Sequence, residues 1–510
     1  MLSGHPIPAD RRLGRIDLVV LAVLMLVFWC GVLRQIELPG LYMDSVFPDY
    51  LAARILNPDL KNPVWALPTA TIPILGGLYH GVQNLYVDLA AFSVLGISVT
   101  SVRIAQALFG AAIVVCLYAL VVRLTGQRVA ACVGALLLAT DIAFLASFRT
   151  QFYIILGAQA WLFASLLGLW RGGRLGYFLS GACFGLAVYG YFVLGFFLPA
   201  MIILIATLPE RRPLDWTVGL AVGLLPYVAG YASLIWALGG WTNAAQWLSD
   251  AVHSLAPFSS KPGVWENLAG VWQRTALALS NAGNEFMILG EPLGGAWPEA
   301  KVYLLVAVVL AATLASLRWH DLRLAILPLT YVAVAAVFGS RLWVHHFVVL
   351  VPLAYLVMAV AVAQLPKRRA SQLAIAAGAF FFLAGNLYQA NRFHEALNTT
   401  GGVRMASNAL SLLAEEARRA RRALYVFPDW GFLAPFALLT ENKVPYVLDV
   451  AAIPSGGGNA DLVMIAFWND RDEEKYREAL RQAGAAQLLT VTYRQRDGRT
   501  AFTVVQGRFR

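Results

Sequence analysis

The strongest constraint in this sequence is a series of apolar runs, each close to the ~20 residues that cross a bilayer. Read between charged residues, they number about eleven: 16–34, 102–123, 129–148, 151–170, 174–190, 193–208, 216–238, 301–317, 322–339, 346–364 and 371–388. Only 13% of the 510 residues are charged, roughly half the ~25% usual in a soluble domain. A water-soluble enzyme is excluded. So are a disordered chain and a coiled coil, because Trp, Phe, Tyr and Gly are plentiful and no heptad is sustained.

The basic residues behind the net charge of +10 fall between the apolar runs rather than in one patch, which argues against nucleic acid as a partner and for membrane topology. The run 174–208 is too long for one span and is split at Tyr189-Gly190-Tyr191. With the N-terminus cytoplasmic, the inside loops then carry Arg11/Arg12/Arg15, Arg123/Arg128, Arg171/Arg174, Arg211/Arg212, Arg318/Arg323 and Lys367/Arg368/Arg369. The short outside loops carry Arg149, none, and Arg341. This is the positive-inside pattern. It places the C-terminal part outside, which in a bacterial inner (plasma) membrane is the periplasm. The first run is too long for a signal-peptide core and is read as an uncleaved span. The four cysteines (Cys30, Cys116, Cys132, Cys183) lie in or beside apolar runs, with no metal-ligand spacing.

Two outside segments are large, 35–101 and 239–300. Both have apolar residues at roughly helical spacing, such as Ile74, Leu78, Val82, Leu85 and Leu89, and are expected to form amphipathic helices along the membrane surface. The organisation is therefore a membrane domain, 1–391, and a soluble α/β domain, 392–510. In the latter, helices are expected at 403–422, 432–440 and after an Asp470/Glu473 capping box, with strands at 423–427, 444–450, 461–466, 487–493 and 500–506. The last two flank an Asp497-Gly498 turn. No phosphate-binding glycine loop is present there.

Charges at the membrane boundary are functional candidates. Asp44 and Asp49, at the outer mouth of the first span, suit a general base or a metal clamp; as plain structure, they are loop residues or, for Asp49, a helix cap.

At this point the sequence resembles a known group. An acid directly after the first span, followed by a surface helix, is similar to the polyprenyl-phosphate-sugar-dependent glycosyltransferases of the GT-C fold, the protein O-mannosyltransferases and aminoarabinose transferases among them. The resemblance continues through Ser98, Arg103 and Gly110 to Tyr118 and Leu124-Thr125-Gly126. It reappears at Ser147-Phe148-Arg149 and at Arg341, His345, His346 and Pro352. Where the group often has Asp-Glu, this chain has Asp44-Ser45, and Gln151-Phe152-Tyr153 stand where a further acid is usual.

The resemblance implies a polytopic GT-C-like protein that transfers a sugar from a lipid phosphate to an acceptor with inversion. Asp44 is the base, and Asp49 its support or a metal ligand. Arg103, Arg149, Arg341, His345 and His346, at outer ends of spans, bind the donor phosphate; the plain alternative for the arginines is snorkelling. Asp141, inside the third run, is either a second acid of the site or half of a structural pair with Arg103 or Arg149. Lys261 and Glu266 read as solvated loop residues. A divalent metal is permitted, but no ligand spacing demands one. Partners are the bilayer, the polyprenyl-phosphate-sugar donor and an acceptor protein, lipid or glycan. A transporter or lipid-linked-sugar flippase is the competing reading, and a non-catalytic scaffold a third. The absence of an internal repeat and the gathering of charge at one face favour surface chemistry.

Overall fold

The computed structural model describes residues 13–64, 67, 73–254, 264–316, 320–339, 342–366, 368–420, 422–469 and 471–509. Helix occupies every apolar run expected to span. Arg15–Leu33, Val99–Thr125, Phe152–Arg171, Pro213–Ala237, Ala296–Ala315, Val344–Ala363 and Arg369–Thr400 are long and apolar enough to cross a membrane. A further span is made of two pieces, Arg128–Thr140 and Ile142–Arg149, bent by 58°. The helix Gly173–Gly190 stops at the expected split, and Phe192–Thr207 and Leu322–Phe338 are shorter apolar helices. The chain is a multi-pass membrane protein.

Lipid offers no hydrophobic drive for helices to associate, so close backbone approach must hold them. Gly173–Gly190 and Pro213–Ala237 meet through two small-residue stripes, Gly181/Gly185 and Gly219/Gly223. A Cβ at Gly219 would stand 2.0 Å from the Phe178 carbonyl, and one at Gly181 2.0 Å from that of Trp216. At the start of the first span, Asp17 is fully buried and pairs with Arg128 at 2.9 Å while accepting from the Tyr118 hydroxyl at 2.7 Å.

The segment after the first span departs from the helical spacing read there. Ile74 and Leu78 belong to a small antiparallel hairpin, β1 (Leu75–Gly77) with β2 (His80–Gly81), and the helix begins only at Gln83, running to Leu95. Apolar residues four apart fit a tight hairpin as well as a helix, and glycines let its strands close: a Cβ at Gly76 or Gly77 would stand 2.5 or 2.8 Å from the His80 ring. The second outside segment does form helices, Trp241–Ser254, Val264–Leu279 and Ala282–Leu289.

Arg369–Thr400 has 32 residues, about 48 Å at 1.5 Å per residue, well beyond the ~30 Å of hydrocarbon. The domain boundary expected at 391/392 falls inside this helix, which ends at Gly401 in the left-handed conformation. The α/β part follows. Strands β3 (Ala423–Val426), β4 (Tyr446–Val447), β5 (Leu462–Phe467), β6 (Gln487–Arg494) and β7 (Thr500–Arg508) form one mixed sheet in the order β4-β3-β5-β7-β6. The β3–β4 and β3–β5 pairs are parallel, the rest antiparallel. Helices Ala409–Arg419 and Leu433–Leu439 cover one face and Glu473–Gln482 the other. That last helix is capped by Asp472, whose carboxylate accepts from the Glu474 amide; the expected cap, Asp470, lies outside the described residues.

The sheet's first face shares its core with the segment after the first span: Leu41, Met43, Val46, Tyr50 and Leu51 pack in one cluster with Leu410, Leu413, Phe432 and Phe436. Asn62 stitches the two parts together. Its amide donates to Asn442 Oδ1 (3.1 Å) and the Val444 carbonyl (2.9 Å) and accepts from the Tyr446 amide (3.3 Å). A Cβ on Gly40 would stand 2.2 Å from the Ser407 carbonyl.

Candidate active site

A helix end leaves its last carbonyls without intrahelical partners. At the end of the first span two buried arginines supply them. Arg149 donates to Val32 (3.1 Å), Arg34, Gln35 (3.2 Å) and Leu38 (2.8 Å), and Arg103 to Leu38 (2.7 Å) and Pro39 (2.6 Å). At 2% and 5% exposure, Arg103 and Arg149 are committed to the chain's own backbone. They are expected from sequence to hold the donor phosphate; the structure instead makes them the anchor of the segment that follows. A guanidinium can serve either role, and the free carbonyls beside these two decide it.

The anchored chain makes a single 3₁₀ turn, Met43–Ser45. Ser45 Oγ donates to the Tyr42 carbonyl (2.8 Å) and accepts from the Tyr42 amide (3.0 Å), while Gln106 donates to the Ser45 carbonyl (3.0 Å). From Leu38 to Ala53 every residue is buried except Asp44 and Phe47. Burial pushes the Asp44 carboxyl up to about 6. Its charge reaches Tyr42, Tyr79 and Tyr191.

Tyr191 is the hub of what faces Asp44. His80 stacks on it with centroids 5.8 Å apart, and the Tyr191 hydroxyl meets His346 Nε2 at 3.3 Å. His346 Nδ1 accepts from the Trp343 amide (2.7 Å), and the His345 ring lies 4.1 Å from that of His346. Gln151 links this pair to the turn: its side-chain nitrogen meets His345 Nδ1 at 2.9 Å and its amide donates to the Tyr42 hydroxyl at 3.0 Å. The structure thus brings His345 and His346 together with Tyr191 and Gln151, and places Asp44 within electrostatic reach of Tyr191. His80 donates through Nδ1 to the Gly81 carbonyl (3.0 Å) and is held down at about 4 by burial. It is a neutral wall of the site.

Arg341 and Lys261 lie outside the described residues; Glu266 sits in the first turn of Val264–Leu279. That helix also presents Arg274, whose charge acts on His346. Among the described residues Arg274 has no hydrogen-bonding or ionic partner. Sequence reading misses it because one arginine among Trp265, Trp272 and apolar residues reads as an interfacial anchor.

Asp141 is half of a structural pair, but its partner is Lys301 rather than Arg103 or Arg149. Lys301 Nζ lies 2.7 Å from Asp141 Oδ1, both side chains fully buried, and also donates to Gln389 (3.1 Å). Tyr355 donates to Asp141 Oδ2 (2.7 Å), and the Ala143 amide to Oδ1 (2.9 Å). Asp141 therefore caps the second piece of the bent span and is neutralised from Ala296–Ala315. Asp49 does not stand beside Asp44 as a second open carboxylate. It is fully buried, accepts from the Tyr153 hydroxyl and faces Asp88. Among the described residues no three His, Cys, Asp or Glu side chains converge as a metal ion requires.

A family model described as dolichyl-phosphate-mannose-protein mannosyltransferase matches residues 85–236. A search of curated proteins by sequence finds no match. Among solved structures, ArnT from Cupriavidus metallidurans bound to undecaprenyl phosphate superposes with a TM-score of 0.57 at 13% identity, covering 96% of this chain and 97% of ArnT. Its apo form gives 0.56 at 14% over the same shares. The Archaeoglobus fulgidus oligosaccharyltransferase tethered to an acceptor peptide gives 0.50 at 12%, covering 93% of this chain and 69% of that one. The GT-C membrane fold implied by the sequence resemblance is the fold of this chain.

Proposed function

We propose that this protein is an inverting glycosyltransferase that moves a sugar from a polyprenyl-phosphate carrier to an acceptor hydroxyl. It works on the periplasmic face of a bacterial plasma membrane, with its N-terminus cytoplasmic and its C-terminal domain periplasmic. The observation that carries this reading is Asp44: a carboxyl that keeps some exposure in a buried, doubly anchored turn, its charge reaching Tyr191, which meets His346. Two findings support the donor class: the dolichyl-phosphate-mannose family match and the undecaprenyl phosphate held by ArnT. The positive-inside charge pattern supports the orientation.

In this mechanism the Asp44 carboxylate takes the proton of the acceptor hydroxyl as its oxygen attacks the anomeric carbon. The bond from that carbon to the phosphate oxygen breaks, and its electron pair leaves with the polyprenyl phosphate. Attack from the face opposite the leaving group inverts the centre. A base poised near 6 is ionised at neutral pH yet still basic enough to accept the proton, an effect typically worth 10²–10⁴-fold. Arg274, His345, His346 and Arg341 stabilise the departing phosphate, while Arg103 and Arg149 hold the turn. The test is incubation of purified protein with radiolabelled polyprenyl-phosphate sugars and acceptor-containing envelope extract. Release of polyprenyl phosphate with an inverted product anomer is expected; retained configuration, or no release from any donor, overturns the proposal.

A further inference from the structure

Five residues beyond Asp44, two carboxyl groups that the proposed chemistry does not use meet in a fully buried place. Asp49 is 0% exposed and Asp88, from Gln83–Leu95, 1%. Asp49 accepts from the Tyr153 hydroxyl, and its side chain lies within hydrogen-bonding reach of Asp88 and of Gln106. Neither oxygen of Asp88 has another donor among the described residues. Asp88 shares a buried stripe with Leu85 and Phe92, and one turn before it Asn84 packs on Gly157, one turn beyond Tyr153. Among the described residues neither carboxyl forms an ion pair; Arg103 and Arg149 are engaged with carbonyls.

Two ionised carboxylates in contact in a desolvated place repel strongly, so such pairs hold one proton between them. We propose that Asp88 is a neutral acid donating to the Asp49 carboxylate, and that this shared proton locks the turn that presents Asp44, making Asp49 and Asp88 positioning residues for the transfer. The inference rests on the function proposed above. The direction follows from the donors: Asp49 already accepts from the Tyr153 hydroxyl, which favours its charge, whereas Asp88 has no such donor among the described residues and faces that charge. Burial raises both carboxyls, Asp88 the further. The groups that act on the pair, besides the two carboxyls themselves, are Tyr153 from Phe152–Arg171 and Gln106 from Val99–Thr125. From the C-terminal part, Leu433 and Phe436 pack in the same apolar cluster as Tyr50, Leu51 and Leu85. As pH rises the shared proton is lost, the two charges repel, and the floor under Asp44 opens. This alkaline loss is distinct from the acidic loss caused by protonating Asp44 itself.

The experiment compares wild type with Asp88→Asn, whose amide N–H replaces the acid's donor, and Asp88→Ala, which has none. Infrared spectroscopy of the full-length protein in nanodiscs reads the carbonyl stretch of a buried protonated acid at neutral pH. That band is expected in wild type and missing from Asp88→Asn. In transfer assays Asp88→Asn is expected to keep a near wild-type kcat and to lose the alkaline limb. Asp88→Ala is expected to lose about 10²-fold in kcat at unchanged donor KM, the scale of a misplaced reacting group. Should Asp88→Ala not fold, the infrared band and the Asp88→Asn profile still decide. An Asp88→Asn spectrum identical to wild type, or an unchanged alkaline limb, overturns the proposal. The infrared measurement needs no substrate, so it tests the carboxyl pair even if the transferase reading fails.

Discussion

Replacing Asp44 by Asn is expected to stabilise the protein while abolishing transfer. The carboxyl is raised from 3.8 to about 6 by burial. Each pKa unit corresponds to 1.36 kcal/mol, so ionising Asp44 costs the folded state up to about 3 kcal/mol at neutral pH, an upper bound because part of the group reaches water. Between pH ~4 and ~6 an unfolded Asp is already ionised while the folded one keeps its proton. Over that window wild-type stability falls as pH climbs, and above it the penalty is constant. Asn has the same shape and never ionises. Asp44→Asn is therefore expected to exceed wild type by up to about 3 kcal/mol at pH 7.5, the advantage shrinking from pH 6 to pH 4 and vanishing below. The assay is reversible unfolding in mixed micelles with increasing SDS, followed by tryptophan fluorescence at several pH values. A variant less stable than wild type at pH 7.5, or a gap that ignores pH, would refute the reasoning.

Lys301→Met should cost about 3–5 kcal/mol by leaving Asp141 buried and unpaired, and adding Asp141→Asn should recover most of it; a double-mutant unfolding cycle measures both. Gly219→Val should cost at least about 1–3 kcal/mol, because a Cβ there collides with the Phe178 carbonyl; thermal unfolding in detergent shows it. Arg103→Gln and Arg274→Ala should separate kinetically. The first lowers kcat and stability at unchanged donor KM. The second raises donor KM by roughly 10–100-fold, the worth of a charged hydrogen bond. Transfer activity should fall as pH drops below about 6, where Asp44 takes up its proton; this limb is read from the pH profile of kcat.

Hydropathy made the membrane domain legible, down to the break at Gly190, because in lipid an apolar run of the right length has few alternatives to a helix. The hairpin Leu75–Gly81 was not legible, since spacing alone cannot separate it from one helical turn. Asp44 stood out as the acid at the mouth of the first span, but Asp49 looked equally open and is buried. The signal that could have found Asp88 was present: a lone acid on the apolar stripe of Leu85 and Phe92. It needs a partner, and that partner comes from a different element. Arg103 and Arg149 do lie at ends of their helical segments, but whether such a cation meets phosphate or carbonyl depends on tertiary packing. The same holds for Asp141, whose counter-charge, Lys301, is distant in sequence and sits near the start of Ala296–Ala315.

The most direct measurement pairs binding with chemistry: affinity for undecaprenyl phosphate and single-turnover sugar transfer, in wild type, Asp44→Asn and Arg274→Ala. If an outer-face acid and a phosphate-gripping cation share one site, Asp44→Asn binds the lipid like wild type yet fails to transfer, and Arg274→Ala binds weakly. Transfer by Asp44→Asn at the wild-type rate would contradict the central claim.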